Sequence, residues 1–307
     1  MTPKILAGWL LAVAALAGEP GPLYLRTIAT YAAPALDGVA SRELKFLVGP
    51  IQAPPEEAMA RVWAQVRAAS AGHGFAAADR PLELTREIKT YYDTPGQDLW
   101  RKGYLIRVTQ KFKKGSAKDK VGVTIKAILP DARATLATPL KVVGVDDVEI
   151  DAEDNVGLGG QGRLASYVEK GASFTLSHTR LGQCTLGDFA RAMPELATLG
   201  LALATPLQAT RVYAVRAKPG TVTLPGAGRR TVTMEGWSTG PDDLPFLYDV
   251  SLGYGPLGFY TSPKLHEAGE RWLLEALNGD LKALALADAD RWGGSKVRKL
   301  MNRPIAP

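Results

Sequence analysis

Tyr91-Tyr92-Asp93-Thr94-Pro95-Gly96-Gln97-Asp98-Leu99-Trp100-Arg101-Lys102-Gly103-Tyr104-Leu105-Ile106-Arg107 is the stretch that decides the fold. It reads as a strand ending in an Asp-Thr-Pro-Gly turn, one short helical turn, a break at Gly103, and a second strand that carries Arg107. Upstream, Ser41 to Val48 alternates: Glu43 and Lys45 point one way, Leu44 and Phe46 the other. Downstream, Lys113 to Lys120 is a basic hairpin loop. Val121 to Leu129, with Thr124-Ile125-Lys126 inside it, is a strand by its β-branched content.

Further out, Pro54-Pro55-Glu56-Glu57 opens a helix whose apolar face is Met59, Val62, Trp63 and Val66. Strands are expected over 139–145, 147–153, 173–178, 210–217, 230–235 and 246–252. The glycine-rich run 155–163 reads as a loop. Helices are expected over 186–196, capped by Thr185, from Ser262-Pro263 to about Asn278, and over 281–287 and 295–301. The sum is an α+β chain: mostly antiparallel strands at short spacing, curved into a barrel, with helices outside. No composition break splits it into two domains.

The chain has 307 residues, 46% hydrophobic and 22% charged, with a net charge of +6. These values exclude disorder and a coiled coil as the main state. The positive balance suits an anionic partner. No run of lysine and arginine interleaved with aromatics is present, so nucleic acid is not an expected partner. Lys4 followed by the apolar run Ile5 to Leu16 and the small-residue site Ala15-Leu16-Ala17 reads as a secretory signal peptide over 1–17. That places the mature chain in the periplasm or outside the cell, with no stable membrane span after cleavage. Residues 18–40 read as a linker or leader. Cys184 is the only cysteine and reads as a packed thiol.

Charged side chains at every second strand position carry the functional signal. Lys45, Arg107, Lys111 and Lys126 come from three strands, and Arg107 and Lys111 share a face. Arginine forks and mobile lysines converging from separate strands suit a polyphosphate chain. Arg211 shares a strand face with Tyr213 and Val215, while Arg216 lies on the other. Asp147, Glu149, Asp151 and Glu153 are spaced by two, which puts four carboxylates on one face. Two readings stay open for that row: hard oxygen ligands for magnesium, manganese or calcium, or an edge strand kept soluble by charge.

On these residues the chain resembles the CYTH superfamily, also called triphosphate tunnel metalloenzymes. Ser41-Arg42-Glu43-Leu44-Lys45 resembles that family's opening Glu-x-Glu-x-Lys strand. The Tyr-Tyr-Asp-Thr-Pro turn, the Gly-x-x-x-Arg strand and the Thr-x-Lys strand resemble its next landmarks. Asp147 to Glu153 resembles its acidic strand, and Arg211 with Tyr213 its second basic strand. The resemblance implies an eight-stranded antiparallel tunnel over 41–262, with a C-terminal helical segment over 263–307 packed on it. It implies a triphosphate- or polyphosphate-type ligand gripped by Lys45, Arg107, Lys111, Lys126 and Arg211. It implies Mg2+ or Mn2+ on Glu43, Glu149 and Asp151, and catalysis that depends on Glu43 and Lys45. Ser41 replaces the first glutamate and Thr109 a frequent second arginine, and the final acidic position falls to either Glu235 or Asp249. Two functions are therefore expected in competition: an exported metal-dependent triphosphatase, and a non-catalytic anion-binding module. An adenylate cyclase is disfavoured by export.

Overall fold

The computed structural model describes residues 26–27, 38–113, 115–129, 131–159, 163–177, 184–256, 263–287 and 295–301. The expected signal peptide and nearly all of the leader lie outside the described residues. Among the described residues, no helix is long and apolar enough to cross a membrane.

Among the described residues, twelve strands form in chain order: β1 Arg26–Thr27, β2 Ser41–Val48, β3 Ala77–Asp79, β4 Thr85–Asp93, β5 Tyr104–Lys113, β6 Ser116–Ala117, β7 Lys120–Ala127, β8 Glu149–Leu158, β9 Leu164–Ser177, β10 Gln208–Leu224, β11 Gly228–Ser238 and β12 Leu247–Tyr254. Nine of them close a ring in the order β9-β7-β5-β4-β10-β11-β12-β2-β8, with β8 pairing back onto β9. The eight antiparallel strands expected from the sequence are corrected to nine strands of mixed direction. The reason is parity. A ring with an odd number of strands needs at least one parallel pair, and here it is β2 beside β8, Ser41 opposite Glu153 through Lys45 opposite Gly157.

The miscount comes from one place. The glycine-rich run expected to be a loop is strand as far as Leu158, and the expected 173–178 strand is only the end of a 14-residue β9. The 139–145 run forms no strand, and 281–287 forms turns rather than a helix.

The decisive stretch folds as read. The Asp93 carboxylate accepts hydrogen bonds from the backbone N–H of Thr94, Leu99 and Trp100 at 2.7, 2.9 and 2.9 Å. It thereby satisfies free donors at the start of the short helix over Asp98–Arg101. Gly103 then turns the chain at φ 78°, where a Cβ would meet the Ile128 carbonyl oxygen.

Helix α1 spans Pro55–Gly72, and α2 is that Asp98–Arg101 turn; α3 is Ala132–Ala137, α4 Leu186–Ala190, α5 Pro263–Arg271 and α6 Lys296–Met301. A π-helical segment, Trp272–Asp280, continues α5. Among the described residues, two large apolar clusters cover the outside of the ring. In one, Met59, Val62 and Val66 of α1 pack with Leu44, Phe46, Met234 and Leu252. In the other, Phe189 of α4 packs with Ile106, Val123, Ile125 and Phe174.

This outer burial fixes the inner face. Each fully buried Leu, Val or Phe contributes about 1.5–3 kcal/mol. A one-residue slip of β2 would expose Leu44 and Phe46 together. Glu43 and Lys45 are therefore forced inward, against the cost of placing charge inside a barrel.

Candidate functional site: a tunnel divided by charge

The inner faces enclose a cavity of about 560 Å³. Its lining falls into two contiguous arcs. Neighbouring strands β7, β5, β4 and β10 supply Lys126, Arg107 and Lys111, Lys89, and Arg216, with Glu87 the one acid among them. The remaining strands β11, β12, β2, β8 and β9 supply Glu235, Asp249, Glu43, Glu149 and Glu169, with Lys45 the one base on a strand there.

Strand direction gives the cavity an open end and a closed end. Glu87, Lys111, Glu149 and Arg216 lie toward one mouth, with Lys111 and Glu149 exposed. At the other end Tyr91, Leu105, Trp237 and Leu247 form an inner apolar cluster with Leu300 and Met301 of α6. The Gln97 amide donates to the Met301 carbonyl at 2.9 Å, which ties α6 to the decisive turn.

Lysines neutralise the buried acids. The Lys45 ammonium lies 2.8 Å from Glu43. Burial pushes the Glu43 carboxyl up, but Lys45 outweighs it and holds the group at about 2. Lys126 pairs with Glu169, and that contact holds the Glu169 carboxyl below its ordinary range against the effect of burial. Lys89 donates to both Glu235 oxygens at 2.6 and 2.7 Å. Burial lowers the Lys89 ammonium to about 8 although Glu235 opposes the fall.

Lys296 of α6 reaches in from the closed end. It lies 2.6 Å from Asp249 and 3.3 Å from Glu235, with its charge 5.3 Å from the Trp237 ring centroid. Glu235 and Asp249 sit directly opposite each other across β11 and β12. Both acids face the cavity and share one ammonium.

Glu43, Lys45, Arg107, Lys111, Lys126 and Glu149 all line the cavity. Asp151 is exposed and does not line the cavity; partial burial raises its carboxyl although Lys126 opposes the rise. Glu153 turns inward beside Ser41, whose hydroxyl donates to it at 3.3 Å. Burial, then the charges of Glu43 and Glu169, push the Glu153 carboxyl up to about 7. Arg211 is not brought to the cavity: it is exposed on the outer face of β10, opposite Thr90. Arg216, on the other face of the same strand, takes the inward place. Lys89, Glu169, Tyr167, Arg216 and Lys296 were not singled out for this cavity from the sequence. Alternation from Tyr91 back to Lys89 could have found one of them; Glu169 and Lys296 become neighbours of the others only through ring closure and the return of the chain terminus.

The lining suits a hard cation by chemistry, since its free donors are carboxylate oxygens. Burial, with the charges of Glu43 and Glu169 beside it, raises Glu153, and one Asp249 oxygen is buried with no hydrogen-bond partner. Both are signs of acid groups short of positive charge. Among the described residues, however, no three carboxylates or histidines converge into a ready-made metal centre. The lysines hold the acids apart.

No protein-family model matches the sequence. No curated protein sequence matches it either. Several solved structures are similar in fold. One is the Hippeastrum protein HpAC1, assigned as an adenylyl cyclase and described with a dominant triphosphatase activity, at 12% identity and TM-score 0.45, over 88% of this chain and 98% of that one. Another is a Bacillus halodurans protein assigned as an adenylate cyclase, at 11% identity and TM-score 0.41, over 86% and 100%. A Vibrio parahaemolyticus protein with the same assignment is similar at 12% identity and TM-score 0.35, over 87% and 100%.

Proposed function

We propose that the tunnel of this exported chain holds a triphosphate- or polyphosphate-type anion against its basic arc and hydrolyses it with the help of a divalent cation. The observation that carries this reading is the division of the lining into a basic and an acidic arc. An anion lying on Lys126, Arg107, Lys111, Lys89 and Arg216 faces carboxylates across the cavity. Its own surplus charge then needs a cation on that opposite side.

Arg107 is placed for a bidentate grip, with Nη2 steadied 3.1 Å from the Thr124 hydroxyl. Lys89, whose ammonium is lowered to about 8 by burial, gains a further counter-charge when a ligand oxygen lies beside it. Lys45, beside Glu43, is the inner cation of the acidic arc and orients the reacting end of the chain. Glu43 and Glu149, which line the cavity, would hold Mg2+ or Mn2+ together with oxygens of the ligand; the ion when bound neutralises phosphoryl charge and orients water. Phosphate release from tripolyphosphate with magnesium, compared between wild type and Lys45→Ala, tests the reading. The expected result is release in the wild type and its loss in the variant. Absence of metal-stimulated release from any triphosphate overturns hydrolysis.

A second reading is a binding module without turnover. Two observations favour it: serine at position 41, and Lys296 seated between Glu235 and Asp249. It expects tripolyphosphate to raise the melting temperature, by mass action, with no phosphate released.

A further inference from the structure

The open mouth does not end at Arg216. A second cleft of about 470 Å³ adjoins it, lined by Arg80, Glu83, Thr85, Arg216 and Lys218 among others. Arg216 lines both spaces. The cleft is built by strands that run past the ring: β10 continues from Arg216 to Leu224 and pairs there with β3. Lys218 lies two residues beyond Arg216. Arg80 is fixed by its backbone N–H to Pro219 at 2.8 Å and by its guanidinium to the Thr231 hydroxyl at 3.2 Å. The half-buried Arg216 side chain stands at the junction of the two spaces. Among the described residues, Glu83 is the single acid lining the cleft.

Because α6 closes the other end, a linear anion enters this tunnel end-first, and whatever does not fit leaves past Arg216. Resting on the tunnel reading above, we infer that the Arg80–Arg216–Lys218 cleft is a subsite for the trailing phosphates of a linear polyphosphate. The preferred ligand class is then a chain longer than a triphosphate, held by one end. The inner cations grip the terminal units, and Arg80 and Lys218 bind oxygens of the units outside. This subsite adds affinity without touching the phosphates inside.

The test is calorimetric titration of the full chain with tripolyphosphate and with polyphosphate tens of units long, each counted per chain. Proteins are the wild type, Arg80→Ala/Lys218→Ala, and Lys102→Ala/Arg133→Ala, which removes the same charge beyond the Tyr104 and Ala127 ends of β5 and β7, away from the mouth. The long chain is expected to bind the wild type about fivefold more tightly than tripolyphosphate, the scale of two exposed ion pairs. The mouth variant is expected to lose that preference while its tripolyphosphate affinity stays unchanged, and the distant variant to keep it. Equal wild-type affinity for both lengths overturns the subsite and leaves the tunnel standing. So does a mouth variant that weakens both ligands alike. Failure of either ligand to bind the wild type overturns the tunnel reading and this inference with it.

Discussion

Replacing Lys296 with methionine probes the closed end of the tunnel. The ammonium is shared by Asp249 at 2.6 Å and Glu235 at 3.3 Å, in side chains only 15%, 4% and 7% exposed. Removing one partner of a buried ion pair leaves an uncompensated charge and costs about 3–5 kcal/mol. Glu235 keeps Lys89, so the burden falls on Asp249 and the expected loss is near the lower end, about 3 kcal/mol.

The pH dependence sharpens the prediction. Burial already raises the Asp249 carboxyl although Lys296 opposes it. Without Lys296 it rises further, so the folded protein binds a proton that the unfolded chain has released above about pH 4. A group with a raised folded pKa makes stability fall as pH increases through that window. The deficit of Lys296→Met against wild type is therefore expected to widen between pH 5 and pH 8. Urea denaturation at the two pH values measures it, and adding Asp249→Asn to the variant is expected to recover about half of the loss at pH 8. A deficit below about 1 kcal/mol, or one that does not change with pH, refutes the assignment of Lys296 as the counter-charge of this acid pair.

Other perturbations separate the parts of the account. Glu153, raised to about 7, has a folded pKa above its unfolded value, so its ionisation costs stability as pH climbs from about 4.5 past 7. Glu153→Gln is expected to stabilise the protein by about 1–2 kcal/mol at pH 8.5 and by almost nothing at pH 4, read from denaturation midpoints. Arg107→Ala is expected to weaken tripolyphosphate binding about 10- to 100-fold, the scale of a lost charge-assisted hydrogen bond. In the same titration Arg211→Ala is expected to change nothing, because that side chain is on the outer face. Gly220→Ala would set a Cβ against the Trp63 ring and the Ala78 carbonyl oxygen. Thermal unfolding should show a loss of about 1–3 kcal/mol for that overpacking.

What the sequence made legible follows from the range of each signal. Alternation is local, so Glu43 and Lys45 against Leu44 and Phe46, and Arg107 with Lys111, could be placed on their faces before any tertiary information. The Asp93 turn was legible because its hydrogen bonds stay within seven residues. The parallel seam between β2 and β8 joins residues 112 apart, and no local pattern marks it. The same holds for Glu169, which meets Lys126 only when β9 packs on β7, and for Lys296, which arrives from a helix 47 residues beyond Asp249. Arg211 misled for a related reason: β10 carries an arginine on each face, at 211 and 216, and only ring closure decides which one is inside.

The central claim is that the basic arc binds a polyphosphate end inside the ring. Calorimetric titration of tripolyphosphate with magnesium into wild type and into Arg107→Ala/Lys126→Ala tests it most directly. The account predicts saturable one-to-one binding that weakens with added salt in the wild type and disappears in the double variant. Undiminished binding by the double variant, or none by the wild type, would contradict it.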